Sequence, residues 1–456
     1  MNVELASILR QFNENLTLFV VFPLIIILGS YLTLRLRFIQ VTKLKMSFRS
    51  LLKKDDHEKG NISHYEAISA VLAGNFGTGN ISGMAIALST GGPGALVWMW
   101  IMAFLGAAIQ FASCLLGVKY RRQNEEGEYV GGPMYYLSDG LGFKKLGVLF
   151  SFFTIFASLT VGNFAQVNSV VLPLQKMGFN PVICGLILAV VVGLVIVGGI
   201  KRVARFASFI VPLKAFIYLG TAFVIICLNI EGVIPAFKLM FSSAFSGQSI
   251  AGGVLGFGVL KALTAGFDRG LFATDAGTGI VPILQSSAKT SNPVIDGVVT
   301  LVAPFLVMIV CTATGLVLLT TGAWQQPDLR STNMVTFAFE QGIGHVAGSY
   351  IVIVALLLFA YTTVLAWSCC AEKAIGFLFG NRYGRWFSYL YIALIPVGTI
   401  VHVDLIWLLA DISICLMLVT NLVGVTCLSN EVLDDTHEYF GKGTVVRAEE
   451  SVVSSR

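Results

Sequence analysis

Gly74-Asn75-Phe76-Gly77-Thr78-Gly79-Asn80-Ile81-Ser82-Gly83 stands in the middle of an apolar run from 65 to 90. That run is long enough to cross the ~30 Å hydrocarbon core of a bilayer as a helix. Its centre is built against doing so. Each glycine costs a helix interior roughly 1 kcal/mol relative to alanine, and the amides of Asn75 and Asn80 are expensive in hydrocarbon. Gly79 and Gly83 also have the spacing of a close helix–helix contact, but four glycines and two asparagines in ten residues favour a break. Irregular backbone at mid-bilayer depth survives only where it is buried in protein or lines a cavity. The stretch therefore predicts a helix interrupted at a binding site.

The surrounding chain fits a membrane setting. Of 456 residues, 56% are hydrophobic and 12% charged, the mean hydropathy is +0.81, and the net charge is +5. Soluble domains carry about 25% charged residues. This composition excludes a soluble globular enzyme, a nucleic-acid binder and a disordered scaffold, and names the lipid bilayer as the partner that solvates the chain. The cysteines lie in apolar stretches without a C-x-x-C pair, so they read as small buried residues and imply no metal or disulfide framework.

Apolar runs between charge clusters predict eleven transmembrane helices, at 17–34, 65–90, 94–118, 148–172, 182–200, 207–229, 253–283, 294–321, 346–379, 386–401 and 404–428. Acidic Glu4 and Glu14 flank Arg10 before the first, and its basic cluster follows it, so it reads as a retained span and not as a cleaved leader. With the N-terminus outside, 23 Lys and Arg fall on the cytoplasmic side and four outside, with Lys214, Lys261 and Arg269 inside spans. The positive-inside rule then puts the C-terminus in the cytoplasm. The chain reads as a multi-pass protein of the plasma membrane, the inner membrane of a bacterium. The segment 430–456 reads as a short flexible tail.

A second span, 253–283, is also interrupted. It holds Asp268-Arg269 and then Ala273-Thr274-Asp275-Ala276-Gly277-Thr278-Gly279. Charges inside a span mark a functional site by default; Asp268 and Arg269 fit a structural role, neutralising each other or a neighbouring helix, and 273–279 is the better candidate for unwound backbone. The two Gly-interrupted spans stand five helices apart, and 15 of the 47 glycines lie in or beside them. Paired interruptions in corresponding halves point to a transporter site in an inverted repeat. A half-helix N-terminus offers N–H groups to a carboxylate, and a half-helix C-terminus offers carbonyls to Na⁺ or an ammonium. Thr362, Thr363 and Ser368 supply hydroxyls at the same depth.

GNFGTGNISG (74–83) followed by GGPGALVWMW (91–100) resembles the signature of the alanine-or-glycine:cation symporters. VKYR (118–121), GGPMYYL (131–137), Gly162-Asn163, Gln166-Val167-Asn168, the region of Trp367 with Glu372-Lys373, and Trp407, Asp411 and Asn421 extend the resemblance from about Tyr65 to Asn430. It implies an all-α membrane protein of the leucine-transporter type, with two inverted five-helix repeats and one extra N-terminal helix. The divisions are then 1–64 for that helix and a cytoplasmic linker, 65–229 and 230–429 for the repeats, and 430–456 for the tail. The implied activity is Na⁺-coupled uptake of small neutral amino acids, chiefly alanine and glycine, with Na⁺ as coupling ion and no cofactor.

The resemblance also implies roles. Thr78, Gly79 and Asn80 lie against the substrate carboxylate, Gln166 hydrogen-bonds the substrate, and Trp367 walls the pocket. Ala273, Ala276 and Gly277 of the second break join the substrate residues. Thr363 ligates Na⁺ with carbonyls near Gly74 and Gly77, and Thr362 joins them. One departure stands out: where the family has Phe-Ser-Asn-Glu-Ala-Gly, this chain has Phe272-Ala273-Thr274-Asp275-Ala276-Gly277, which leaves the substrate and ion stoichiometry open. Three other functions remain to be weighed. An intramembrane enzyme has no H-E-x-x-H, G-x-S-x-G or P-loop to rest on. An ion channel ordinarily repeats its filter symmetrically. Proton coupling through Asp268, Asp275 or Asp411 is the closest rival.

Overall fold

Long apolar runs with no water to bond their backbone must satisfy it internally, and they do so as helices. In the computed structural model, which describes residues 3–51, 59–245 and 258–453, seven helices are long and apolar enough to cross a membrane. They are Ser7–Arg35, Ala95–Lys119, Lys144–Lys176, Gly199–Leu228, Pro293–Thr320, Val346–Phe379 and Val403–Cys427. Pro181–Ile196 is a shorter apolar helix. Three further expected spans are each divided. The 65–90 run forms His64–Asn75 and Ser82–Gly91, the 253–283 run forms Val259–Thr274 and Ile280–Gln285, and the 386–401 run lies in Asn381–Ala393 and a 3₁₀ turn, Ile395–Thr399. Residues 253–257 of the second run lie outside the described residues.

The sequence sets where the first divided run begins. Ser63 and Glu66 form a reciprocal cap, in which Glu66 N–H donates to Ser63 Oγ and Ser63 N–H donates to Glu66 Oε2. Ala95–Lys119 packs along Val259–Thr274, Ile280–Gln285 and Pro293–Thr300, with 19 of its 25 residues buried. Gly199–Leu228 takes the opposite role: it buries one stripe against His64–Asn75 and Val346–Phe379 and turns Phe209 and Phe216, 73% and 79% exposed, outward. Phenylalanines so exposed on a helix this apolar face lipid.

Two expectations are corrected, for the tail and for two of the cysteines. The tail is a helix, Ser429–Val453, and its first turns fold back on Ala95–Lys119, where Lys119 Nζ bridges Glu431 and Asp435 at 2.6 Å each. The segment 119–147, for which the sequence sets no structural expectation, is partly buried. After a two-residue antiparallel ladder pairing Arg122 with Val130, residues Pro133–Gly140 turn into the molecule and bury Met134, Tyr136 and Leu137. Cys227 and Cys427 are exposed and so are not core residues.

Candidate functional site

The first helix stops where glycine permits it. Phe76 leaves helical geometry at φ −82°, ψ 60°, Gly77 is extended, Thr78–Asn80 makes one 3₁₀ turn, and the helix resumes at Ser82. The backbone groups freed there need partners, because an unpaired buried donor or acceptor costs about 1–3 kcal/mol. Thr78 N–H and Thr78 Oγ1–H both donate to Gln166 Oε1, at 2.9 and 3.0 Å. Thr363 Oγ1–H donates to the carbonyls of Ala73 (2.8 Å) and Gly74 (3.2 Å). Asn80 spans the break, donating from Nδ2 to Asn75 O at 2.7 Å, while its own carbonyl accepts from Thr314 Oγ1 at 2.9 Å. Lys214 Nζ donates to Phe76 O at 2.7 Å and to Thr362 Oγ1.

Gln166 is held by its own helix. Lys144–Lys176 carries a π-helical turn at Thr160–Phe164, and Gln166 Nε2 donates back to Val161 O at 2.9 Å. Such turns divert a side chain from regular helical direction and recur at functional sites. Trp367 packs on this turn: a Cβ at Gly162 would lie 2.3 Å from Trp367 Cβ. Asn163 and Asn168 of the same motif brace the 391–401 segment, donating to Tyr391 O at 3.0 Å and Val401 O at 3.2 Å.

The second break is a run of left-handed residues. Asp275, Gly277 and Gly279 have φ of 51°, 87° and 91°, which no helix accommodates. Two threonines cover the freed groups: Thr274 Oγ1 donates to Gly270 O and accepts from Ala276 N–H, and Thr278 Oγ1 donates to Asp275 O. Asp275 is buried and its Oδ1 has no hydrogen-bond partner among the described residues. One direct hydrogen bond joins the two breaks, from Asn75 Nδ2 to Thr274 O at 2.7 Å.

The structure brings Gly74, Gly77, Thr78, Gln166 and Thr363 together, and a Cβ on Gly77 would lie 2.9 Å from Thr363 Oγ1 and 3.0 Å from Gln166 Oε1. Gly79 faces Phe272 instead. Ala273 is buried in the last turn before the second break. Ala276 and Gly277 are turned to other neighbours: Ala276 against Gly106, Gly277 against Ile109 and Leu418 with its carbonyl accepting from Asn421 Nδ2 at 2.7 Å. Thr362 is engaged by Lys214. Asp268 and Arg269 do not pair with each other. Asp268 accepts from Asn13 and Thr17 of the N-terminal helix, and Arg269 pairs with Asp411.

Sequence reasoning gave Lys214 no role, although a lysine in the middle of an apolar span was the signal for one. It also missed Asn75 as the link between breaks. The whole constellation is sealed, with Thr78, Gln166, Thr362 and Thr363 no more than 1% exposed. A cavity of about 220 Å³ lies elsewhere, lined by Glu126, Glu128, Glu372, Lys373 and Arg385, and includes none of these residues.

Residues 2–452 match the model of the Sodium:alanine symporter family. The sodium/alanine symporter AgcS of Methanococcus maripaludis is 38% identical over 431 residues, covering 92% of this chain and 94% of its own. An uncharacterized transporter of Haemophilus influenzae is 43% identical over 424 residues, 92% of this chain and 93% of its own. Among solved structures, a manganese transporter of Eremococcus coleocola shares the fold at a TM-score of 0.52 and 17% identity, over 74% of this chain and 70% of that one.

Proposed function

The chain belongs to the sodium:alanine symporter family, and from that premise we propose that it takes up small neutral amino acids, alanine and glycine, by Na⁺-coupled alternating access. One observation carries the reading. The first break sets a donor edge, Thr78 N–H and Oγ1–H, a few residues from an acceptor edge, the Ala73 and Gly74 carbonyls, in a sealed mid-membrane site. A zwitterion and a small cation need those two edges side by side.

In this reading Gln166 Oε1 holds the place of a substrate carboxylate oxygen on Thr78 until substrate binds and then hydrogen-bonds the substrate, with Asn80 bracing the same edge across the break and Gly79 closing it against Phe272. Ala273 and Trp367 keep the pocket short, while Ala276 and Gly277, packed on Gly106 and on Ile109 and Leu418, hold the second break from behind. Gly74, Gly77 and Thr363 hold Na⁺, with Thr362 beside them accepting from Lys214. The seven long helices, the short apolar helix and the three divided runs make eleven crossings, arranged as one N-terminal helix and two inverted five-helix repeats. The N-terminus lies outside the plasma membrane and the C-terminus inside. Substrate and Na⁺ together favour the sealed state, so coupling is their differential affinity for the outward and inward states.

The test is uptake of radiolabelled alanine into proteoliposomes under a Na⁺ gradient at clamped pH. Accumulation that competes with glycine and disappears when K⁺ replaces Na⁺ is expected. A second reading, proton coupling, is favoured by the buried, unpartnered carboxylate oxygen of Asp275. Uptake driven by a pH gradient without Na⁺, and lost in Asp275→Asn, would put it first.

A further inference from the structure

Lys214 lies on Gly199–Leu228 and is fully buried. Its ammonium donates to Phe76 O, a carbonyl released by the first break, and to Thr362 Oγ1. Thr362 is an acceptor here because its own proton is turned to the preceding helical turn, with Leu358 O at 3.0 Å and Phe359 O at 3.1 Å. Two aromatic faces complete the surroundings. Nζ stands 4.8 Å from the Phe359 ring centre and 5.8 Å from that of Phe76, and the two rings stack at 6.2 Å and 14°. Among the described residues no carboxylate pairs with it. A buried cation is expensive unless it is hydrogen-bonded and its charge is met. Here carbonyl and hydroxyl oxygens and ring quadrupoles meet it. Those oxygens are also what a bare monovalent ion would seek.

We propose that the Lys214 ammonium is the resident cation of the first break, holding at Phe76 O and Thr362 Oγ1 a place that a transported Na⁺ would otherwise take. Thr362 and Thr363 then divide the work. Thr363, with Ala73 O and Gly74 O, faces the exchangeable ion, and Thr362 faces a tethered one that never leaves the protein. The first break keeps one fixed positive charge through the cycle, and Na⁺ binds only on the Thr363 side. This rests on the transport reading for its meaning, but its test does not require transport.

The test counts Na⁺ bound to the purified, full-length protein with ²²Na⁺, against choline at constant ionic strength. Lys214→Met frees the two oxygens, so the variant binds roughly one Na⁺ per chain more than the native protein. Thr362→Ala in the Lys214→Met background removes the added ion. Lys214→Leu, which also removes the amine and leaves both oxygens open, serves if the methionine variant does not fold. Thr362→Ala in the otherwise native chain lowers uptake by loosening Lys214 yet keeps the native number of bound Na⁺. Loss of a Na⁺ in that single variant, or an unchanged count on removing the amine, overturns the proposal. A native protein that binds Na⁺ but carries no amino acid would fail the transport reading and leave this count decisive.

Discussion

Gly79 has no room for a side chain: a Cβ would lie 2.5 Å from Phe272 Cδ1 and 2.7 Å from Cε1. Phe272 cannot easily retreat, since it packs on Trp407 at 4.8 Å between ring centres. Overpacking of this kind costs roughly 1–3 kcal/mol, which a membrane-inserted chain tolerates but a sealed site does not. Gly79→Val is therefore expected to reach the membrane at near-native level and lose at least tenfold in alanine uptake, with Gly79→Ala intermediate. Immunoblotting of membranes beside the uptake assay measures both. The position was legible in the sequence because Gly and Asn are costly at mid-span whatever surrounds them. Lys214, Phe272 and the Asn75–Thr274 link were not, because Phe76, Gly79 and Thr274, which they meet, lie 138 to 199 positions away, across helix faces that only packing selects. Spacing shows that a polar group is buried; it does not show which carbonyl it meets.

Between elements, the buried pair of Arg269 and Asp411 ties the second divided helix to Val403–Cys427. Arg269 also stacks over Phe272 and Trp407, at 5.3 and 5.1 Å from their ring centres. Asp268, next to it, is claimed by Asn13 and Thr17 of the N-terminal helix, which fixes that extra helix on the bundle. Removing one partner of a buried ion pair typically costs about 3–5 kcal/mol, while replacing both with apolar residues is often neutral. Asp411→Leu alone should lower the detergent-solubilised protein's unfolding midpoint strongly, and Arg269→Met/Asp411→Leu should recover most of the loss. Equal losses in single and double variants would count against a structural pairing. The elements themselves were readable as apolar runs, and both interruptions fell in the stretches singled out in the sequence, 74–83 and 273–279. The inward turn of Pro133–Gly140 was not readable. Its polar neighbours mark a loop, whereas its depth depends on Tyr136 donating to Asn421.

At the scale of the molecule, the proposed cycle opens the sealed site on each side in turn, and a candidate closure is visible. The strand-like segment before the first divided helix pairs with the one after the second: Asn61 N–H donates to Ser287 O at 2.8 Å, and Lys289 N–H donates to Ile62 O at 2.7 Å. Arg121 crosses this seam and donates to Ala288 O at 2.7 Å, Lys59 O at 2.9 Å, Thr290 O at 3.1 Å and Ser286 O at 3.3 Å. Lys373 reaches the same region from Val346–Phe379, through Ile283 O and Ser287 Oγ. One guanidinium tying the segment before the first divided helix to the segment after the second would act as a latch at this end in the proposed cycle. Its planar fork of donors suits several carbonyls at once, and a lysine ammonium does not match it. Hydrogen bonds from a charged group contribute about 1.5–3 kcal/mol each, and ~1.4 kcal/mol changes an equilibrium tenfold. Arg121→Ala is thus expected to shift the population at least tenfold toward the state open at this end. A cysteine at buried Ser287, in a background without the exposed native cysteines, should then react with an impermeant maleimide at least tenfold faster than in the parent. Apparent affinity for alanine added on the other side should fall in step, because a binding-competent state populated less often binds more weakly by that fraction. Arg121→Lys should behave closer to alanine than to arginine. Labelling at the parent rate in all three would mean that this seam stays closed throughout the cycle and that the molecule opens elsewhere.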